Sequence, residues 1–256
     1  MPDSALEDAI DYVRVTLRTD PEEIDVDDEE PSRFIFTTTG TIELRRLSPL
    51  HGDPPAEDIG RFSVTVIDAC GAVSESESIF EVFDSHQETM TYYEALYDGD
   101  QWKPAVQRAV WGQFEHWAPN LLVVDYLLMD AHFRGYGYGL AALKTLLHRY
   151  RQGTNGLAMI EAVPAQYWYC PPQEQRYRVD LLKGSQARAT DKLRAHFERL
   201  GFKRVPRTPY LVLYTDCKLP GVDELVSEDA PPRELPELPP LPPLPSNVLP
   251  FRKRPG

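Results

Sequence analysis

The chain has 256 residues, of which 42% are hydrophobic and 11% aromatic, and its formal net charge is −13. This size allows a sizeable buried core. The acidic balance argues against unspecific binding to nucleic acid or to an anionic membrane. No apolar run is long enough to span a bilayer, and the start MPDSALEDAIDYV has no basic n-region followed by an apolar stretch, so no secretory signal is expected.

Most of the charge is local. Residues 1–31 hold twelve Asp or Glu against Arg14 and Arg18, a face that solubilises the chain and is compatible with steering a cationic amine toward it. Three widely spaced cysteines (Cys70, Cys170, Cys217) suit a reducing cytoplasm. None lies at zinc-ligand spacing from another Cys or a His, so no metal site is expected.

In chain order, the alternation in IDYVRVTLRT (10–19) predicts a strand. The acidic stretch 21–31 reads as a loop, and RFIFTTTGTIELRRL as a hairpin-like pair turning at Gly40. HGDPPAEDIG is a further loop, and FSVTVIDA (62–69) a strand. Residues 79–83 are expected to extend the sheet. Ser85 and Glu88 have capping-box spacing and open a helix carrying Met90, Tyr93, Leu96 and Tyr97. A second helix is predicted over 104–114.

LLVVDYLLM (121–129) is almost continuously apolar, as expected of a strand covered on both faces. Leu140, Leu143, Leu146, Leu147 and Tyr150 recur at helical spacing and predict a helix over 139–151. A strand follows at 157–163, stopped by Pro164, and residues 165–186 form an excursion. A helix over 187–200 closes at Gly201, and 210–215 is the last strand. After Leu219 the chain becomes proline-rich, a tail (220–256) expected to be extended. Its PxxP spacing could engage a proline-recognising domain, and an arm of this kind permits exchange between the protomers of a homodimer.

Between the strand at 121–129 and its helix lies Arg134-Gly135-Tyr136-Gly137-Tyr138-Gly139. A strand, a glycine-rich turn and a helix N-terminus together make a phosphate-binding arrangement. The amides of the first helical turn lack intrahelical partners, and bare glycines let a diphosphate approach them. The G-x-G-x-G spacing is not the G-x-G-x-x-G of a dinucleotide fold, and Asn155 and Gly156 stand where that fold needs an acid. The Gly-Lys-Ser/Thr of a P-loop is absent too.

The run R-x-x-G-x-G, Arg134 to Gly139, resembles the acetyl-CoA pyrophosphate loop of the GNAT N-acetyltransferase superfamily. The segment His196 to Phe202 resembles that family's later motif, in which Leu-Gly-Phe ends a helix. The resemblance covers roughly Leu121 to Thr215 and carries the expectation of an α+β fold, a mixed, mainly antiparallel sheet flanked by helices, in a domain spanning 1–219. The expected helices between 85 and 114 read as an insertion or topological variation.

The resemblance implies acetyl (or other acyl) transfer from CoA to an amine by direct attack, with acetyl-CoA as co-substrate. It implies that two strands splay around the pantetheine arm, that Leu127, Leu128 and Met129 line it, and that Arg134, Gly135, Tyr136, Gly137, Tyr138 and Gly139 hold the diphosphate. Glu161 stands where some members carry a catalytic Glu, and Asp125 is the second candidate base. The family's proton-donating Tyr is replaced by Phe197, a departure that leaves Tyr210, Tyr214, Tyr167 or Tyr169 as substitutes. Cys170 has no nearby His, and His132 is expected to be exposed. The same departure allows an inactive module that senses acyl-CoA or acts through protein contacts.

Overall fold

The alternating segments of the first 70 residues assemble as consecutive antiparallel strands, β1 (Tyr12–Thr19), β2 (Ile35–Leu47) and β3 (Glu57–Ile67). The computed structural model describes residues 12–20, 30–47, 55–112, 118–151, 156–167, 177–182, 184–221 and 224–226. The acidic loop 21–29, Tyr169, Cys170 and the tail from 227 lie outside these residues.

Two of the expected strands differ in the structure. RFIFTTTGTIELRRL does not turn at Gly40. A 3₁₀ turn (Pro31–Phe34) leads into one thirteen-residue strand, with Gly40 opposite Thr19 on one side and Phe62 on the other. A Cβ at Gly40 would run into the Arg18 carbonyl and come within 2.7 Å of the Phe62 ring. This glycine therefore serves close approach within a sheet rather than a turn. Residues 79–83 are helical, not a strand. Ile79, Val82 and Phe83 are fully buried at i, i+3 and i+4, and so short an apolar run does not reveal its period.

Between β3 and the central strand the chain builds a layer of helices, α1 (Ala69–Ser74), α2 (Ile79–Asp84) and α3 (Gln87–Leu96). A small hairpin, β4 (Tyr97–Asp98) with β5 (Gln101–Trp102), leads to α4 (Pro104–Trp111). The anticipated capping box does not form. His86 is the N-cap of α3, and Ser85 instead donates to the Val82 carbonyl at the end of α2 (2.7 Å). Fully buried Tyr97 packs against Phe83, Tyr93 and Trp102. Its hydroxyl donates to the Pro119 carbonyl at 2.6 Å, and Trp102 Nε1 donates to the Ala118 carbonyl at 3.2 Å. Those two bonds fix where the next strand begins, and burial pushes the Tyr97 phenol well above its ordinary pKa.

The remaining elements are β6 (Asn120–Met129), α5 (Tyr138–Tyr150), β7 (Gly156–Glu161), α6 (Gln186–Glu198), β8 (Lys203–Arg204) and β9 (Tyr210–Tyr214). The described strands form a seven-stranded sheet in the order β1-β2-β3-β6-β7-β9-β8. Every pairing in it is antiparallel except that of β6 with β7. The fold is thus α+β, with a mostly antiparallel sheet flanked by helices.

Side chains alternate between the two faces and build two cores. On one face Phe62, Val64, Leu122, Val124, Ala158 and Ile160 pack with α5 and with Phe197 of α6. On the other, Ile67, Leu121, Val123, Leu157 and Met159 pack with α1 to α4. The packed chain continues past Leu219, because Leu225 is buried in the α5 core.

Replacing Gly40 by Ala should destabilise the protein by about 1–3 kcal/mol, the usual cost of overpacking. A denaturant-unfolding midpoint unchanged from wild type would place Gly40 in open space instead.

Candidate functional site

The site is built around a fork. The parallel ladder of β6 and β7 runs from Asn120↔Gly156 to Val124↔Ile160. β6 continues five residues further, paired with β3 through Gly60↔Met129, while β7 pairs on its other side with β9 through Glu161↔Tyr210. β7 ends at Glu161, and the register of β3 with β6 changes at the same level. Val64 faces Val124 and Ser63 faces Tyr126, so Asp125 is an extra residue, a β-bulge. A bulge bends its strand and ends regular pairing. Asp125 and Glu161 are each the first residue past the last position of the β6–β7 ladder.

Both carboxylates lie on the α1–α4 face. Glu161 follows Leu157 and Met159 at alternate positions, and Asp125 follows Leu121 and Val123. Asp125 Oδ2 accepts hydrogen bonds from Ser63 Oγ (2.8 Å) and Thr65 Oγ1 (2.9 Å), both on β3. Thr37 Oγ1 lies 2.9 Å from Thr65 Oγ1. Tyr210, opposite Glu161 on β9, is 9% exposed; its ring meets Tyr92 edge-on and its hydroxyl is 3.4 Å from Thr91 Oγ1. The structure therefore brings Asp125, Glu161 and Tyr210 to one face near the parting strands.

On the opposite face β6 runs toward α5. Leu127 and Met129 pack in the α5 core, and a Cβ at Gly139 would sit 3.6 Å from Leu127 Cδ2 and 3.4 Å from Met129 Cγ. Leu128 alternates away from them and is buried. A 3₁₀ turn (Ala131–Phe133) capped by Asp130 leads to the glycine turn. His132 is half-buried there rather than exposed, with Nδ1 3.3 Å from Asp130 Oδ1.

Gly135 (φ 90°) and Gly137 (φ 87°) are both in the left-handed region, which explains their identity on backbone grounds alone. Gly137 is the N-cap of α5 and brings no capping side chain to the amides of the first turn. A Cβ at Gly135 would meet nothing within 4 Å. A Cβ at Gly137 would coincide with the Leu225 carbonyl, because residues 224–226 cross the turn on that side. Arg199 Nη2 donates to the Glu224 carbonyl at 3.2 Å and the Leu225 carbonyl at 3.4 Å, and Lys144 Nζ donates to the Pro220 carbonyl. This strap thus ties α5 to α6.

Arg134 spends its guanidinium on carbonyls. Nε donates to Met129 (3.1 Å), Nη1 to Arg178 (3.4 Å) and Nη2 to Tyr177. It fastens the excursion after β7 to the end of β6. Tyr136 and Tyr138 lie 6.1 Å apart by ring centroids, and Tyr138 is buried beside Phe133.

Phe197 is a core residue against Phe202 (6.2 Å). Tyr214 packs edge-on against Trp111, and Tyr167 is exposed with its hydroxyl on the Gly184 carbonyl at 2.8 Å. Neither is placed at the fork by these contacts.

Sequence reasoning missed Ser63, Thr65, the bulge and the strap. The first two carried a signal: hydroxyl residues alternating with Phe62 and Val64 share one face of a central strand. The bulge carried none, since one extra residue in an apolar run leaves no mark on composition. Among the described residues, no group of three or more His, Cys, Asp or Glu is placed to hold a metal ion. No described helix is long and apolar enough to cross a membrane. In comparisons with protein-family models, curated proteins and solved structures, nothing matches the chain.

His196, half-buried on α6, has its pKa lowered below the usual 6.5 by burial and, secondarily, by the Arg199 guanidinium. The unfolded chain therefore takes up this proton first. The stability that neutral His196 contributes is present above pH 6.5 and declines as pH falls through that value. His196→Gln should flatten the stability loss seen in urea unfolding on going from about pH 7.5 to about pH 5.5; an unaltered slope would rule this out.

Proposed function

We propose that the chain is a GNAT-type N-acyltransferase that moves an acetyl, or another acyl, group from CoA to an amine by direct attack in a ternary complex. The observation that carries this reading is the fork. Its bulged arm leads through Met129 into a glycine turn at a helix N-terminus. The resemblance of Arg134–Gly139 and His196–Phe202 to that family's motifs implies this arrangement of parting strands, loop and helix. The sheet order and the single parallel pair among the described strands are consistent with it.

In this reading the diphosphate meets the α5 amides from the Gly135 side, since Leu225 backs Gly137. The pantetheine arm enters between β6 and β7 beside Leu127 and Met129. The amine approaches from the α1–α4 face, where Asp125, Glu161 and Tyr210 lie. The ammonium gives up a proton to a carboxylate, directly or through water, and the free amine attacks the thioester carbonyl carbon. The tetrahedral oxyanion collapses as the C–S bond breaks, and the thiolate takes a proton. Acyl-CoA and the ammonium thus give the amide, CoA thiol and one proton. Tyr210 is the tyrosine paired with Glu161 and is the candidate donor to the thiolate. The acidic composition favours a cationic acceptor such as a polyamine, an aminoglycoside or a lysine.

Phe197 favours a second reading. Buried among apolar side chains, it can donate no proton, which suits a module that binds acyl-CoA and acts through protein contacts without turnover.

Four measurements test these readings. Mass spectrometry of the denatured purified protein should reveal retained CoA, and thiol release from acetyl-CoA across a panel of amines should follow mixing; binding without release supports the module. Gly139→Val should weaken CoA at least about tenfold while keeping the melting temperature, because a Cβ there meets only the flexible side chains of Leu127 and Met129. Gly137→Val is unsuitable, since it displaces the strap as well. Glu161→Gln should lower kcat by about 10²–10⁴; wild-type CoA affinity in the first variant or wild-type kcat in the second would count against the role given to that residue.

A further inference from the structure

The face that carries the fork's carboxylates is organised by hydroxyls. Ser63 and Thr65 sit in the middle of the sheet and are 5% and 8% exposed. Buried hydroxyls are costly unless hydrogen-bonded, and these two give their protons to the same atom, Asp125 Oδ2. Because Thr65 donates to the carboxylate, Thr37 is the donor in the 2.9 Å contact between the two threonines. A chain of donors therefore runs from β2 across β3 to β6 and ends on the bulged residue. The bulge itself turns Asp125 toward these hydroxyls, since Asp125 and the following Tyr126 replace a single residue opposite Ser63.

We propose that Ser63 and Thr65 are positioning residues that hold Asp125 as a charged, oriented carboxylate at the fork, where it selects a protonated amine and presents it to Glu161. This rests on the transferase reading above. Two O–H donors on one oxygen are charge-assisted bonds and favour the ionised carboxylate over the acid. A carboxylate so stabilised is a poor proton acceptor but a good anchor for an ammonium group. The two carboxylates thereby divide the work: Asp125 holds the cation, and Glu161 on the departing strand takes the proton. Other ionisable groups on this face are Tyr126 opposite Ser63, Arg61 on β3, Tyr210 on β9 and, on the outer strands, Arg18 paired with Glu43; α3 contributes Thr91 and Tyr92 beside Tyr210.

The test uses the full chain, acetyl-CoA, and spermidine as the probe amine, with aniline as an uncharged comparison. The double variant Ser63→Ala/Thr65→Val should raise KM for spermidine about tenfold and leave kcat within about threefold. The swapped pair Ser63→Thr/Thr65→Ser, which keeps both hydroxyls, should restore the wild-type KM. Should the double variant fail to fold, the isosteric Thr65→Val alone is expected to raise KM in the same direction. A lowered melting temperature with KM unmoved overturns the proposal and leaves the hydroxyls a structural role. Transfer to aniline but not to spermidine overturns it while the transferase reading stands. Absence of thiol release from wild-type protein with every amine tried overturns the transferase reading and this inference with it.

Discussion

One extra residue in one strand sets how the face that carries Asp125 and Glu161 is presented. The bulge at Asp125 falls where the β6–β7 ladder ends, inside a sheet that is continuous from β3 to β9. The bulge bends β6 at the point where its hydrogen bonding to β7 ends. Everything chemically notable then follows by position. The first residues past the ladder are carboxylates, and the longer arm of the fork delivers the chain to the glycine turn. The helix beyond that turn packs back against the same arm through Leu127 and Met129.

The sheet separates two sets of side chains. The α5 face carries the glycine turn, the helix N-terminus and the apolar side chains of β6. The α1–α4 face carries the carboxylates Asp125 and Glu161, the hydroxyls of Ser63 and Thr65, and the Tyr92 and Tyr210 rings. The helical layer earns its place in this scheme through Tyr97 and Trp102, whose hydrogen bonds to residues 118 and 119 set the start of β6. A shift of one residue there would reverse every side chain of the strand and carry Asp125 to the wrong face.

The C-terminal strap adds a constraint of its own. Leu225 is buried in the α5 core, and its carbonyl occupies the space a side chain at residue 137 would need. Gly137 is thus accounted for twice: by its left-handed backbone and by the chain that crosses it. Gly135, with the same sign of φ and open space beside it, has only the first reason. The three glycines of the turn therefore differ in what they do, although they look equivalent in the sequence.

Local pattern alone determined much of this protein. Helix α5 was legible because its leucines repeat at 3.6-residue spacing, β6 because nine consecutive residues are almost all apolar, and the glycine turn because it separates them. Glu161 and Tyr210 could be named only through the resemblance of this segment to the GNAT family, with Tyr210 one of four tyrosines left open, and Asp125 as the other carboxylate in these strands. Tertiary structure decided what period and composition do not encode. Gly40 became mid-strand because neighbouring strands approach closely there. Residues 79–83 became a helix because their apolar side chains met a core on one side. Ser63 and Thr65 acquired a common partner only when β3 lay beside a bulged β6. Such features depend on which strand is the neighbour and in what register, and those are set by long-range packing rather than by the order of nearby residues.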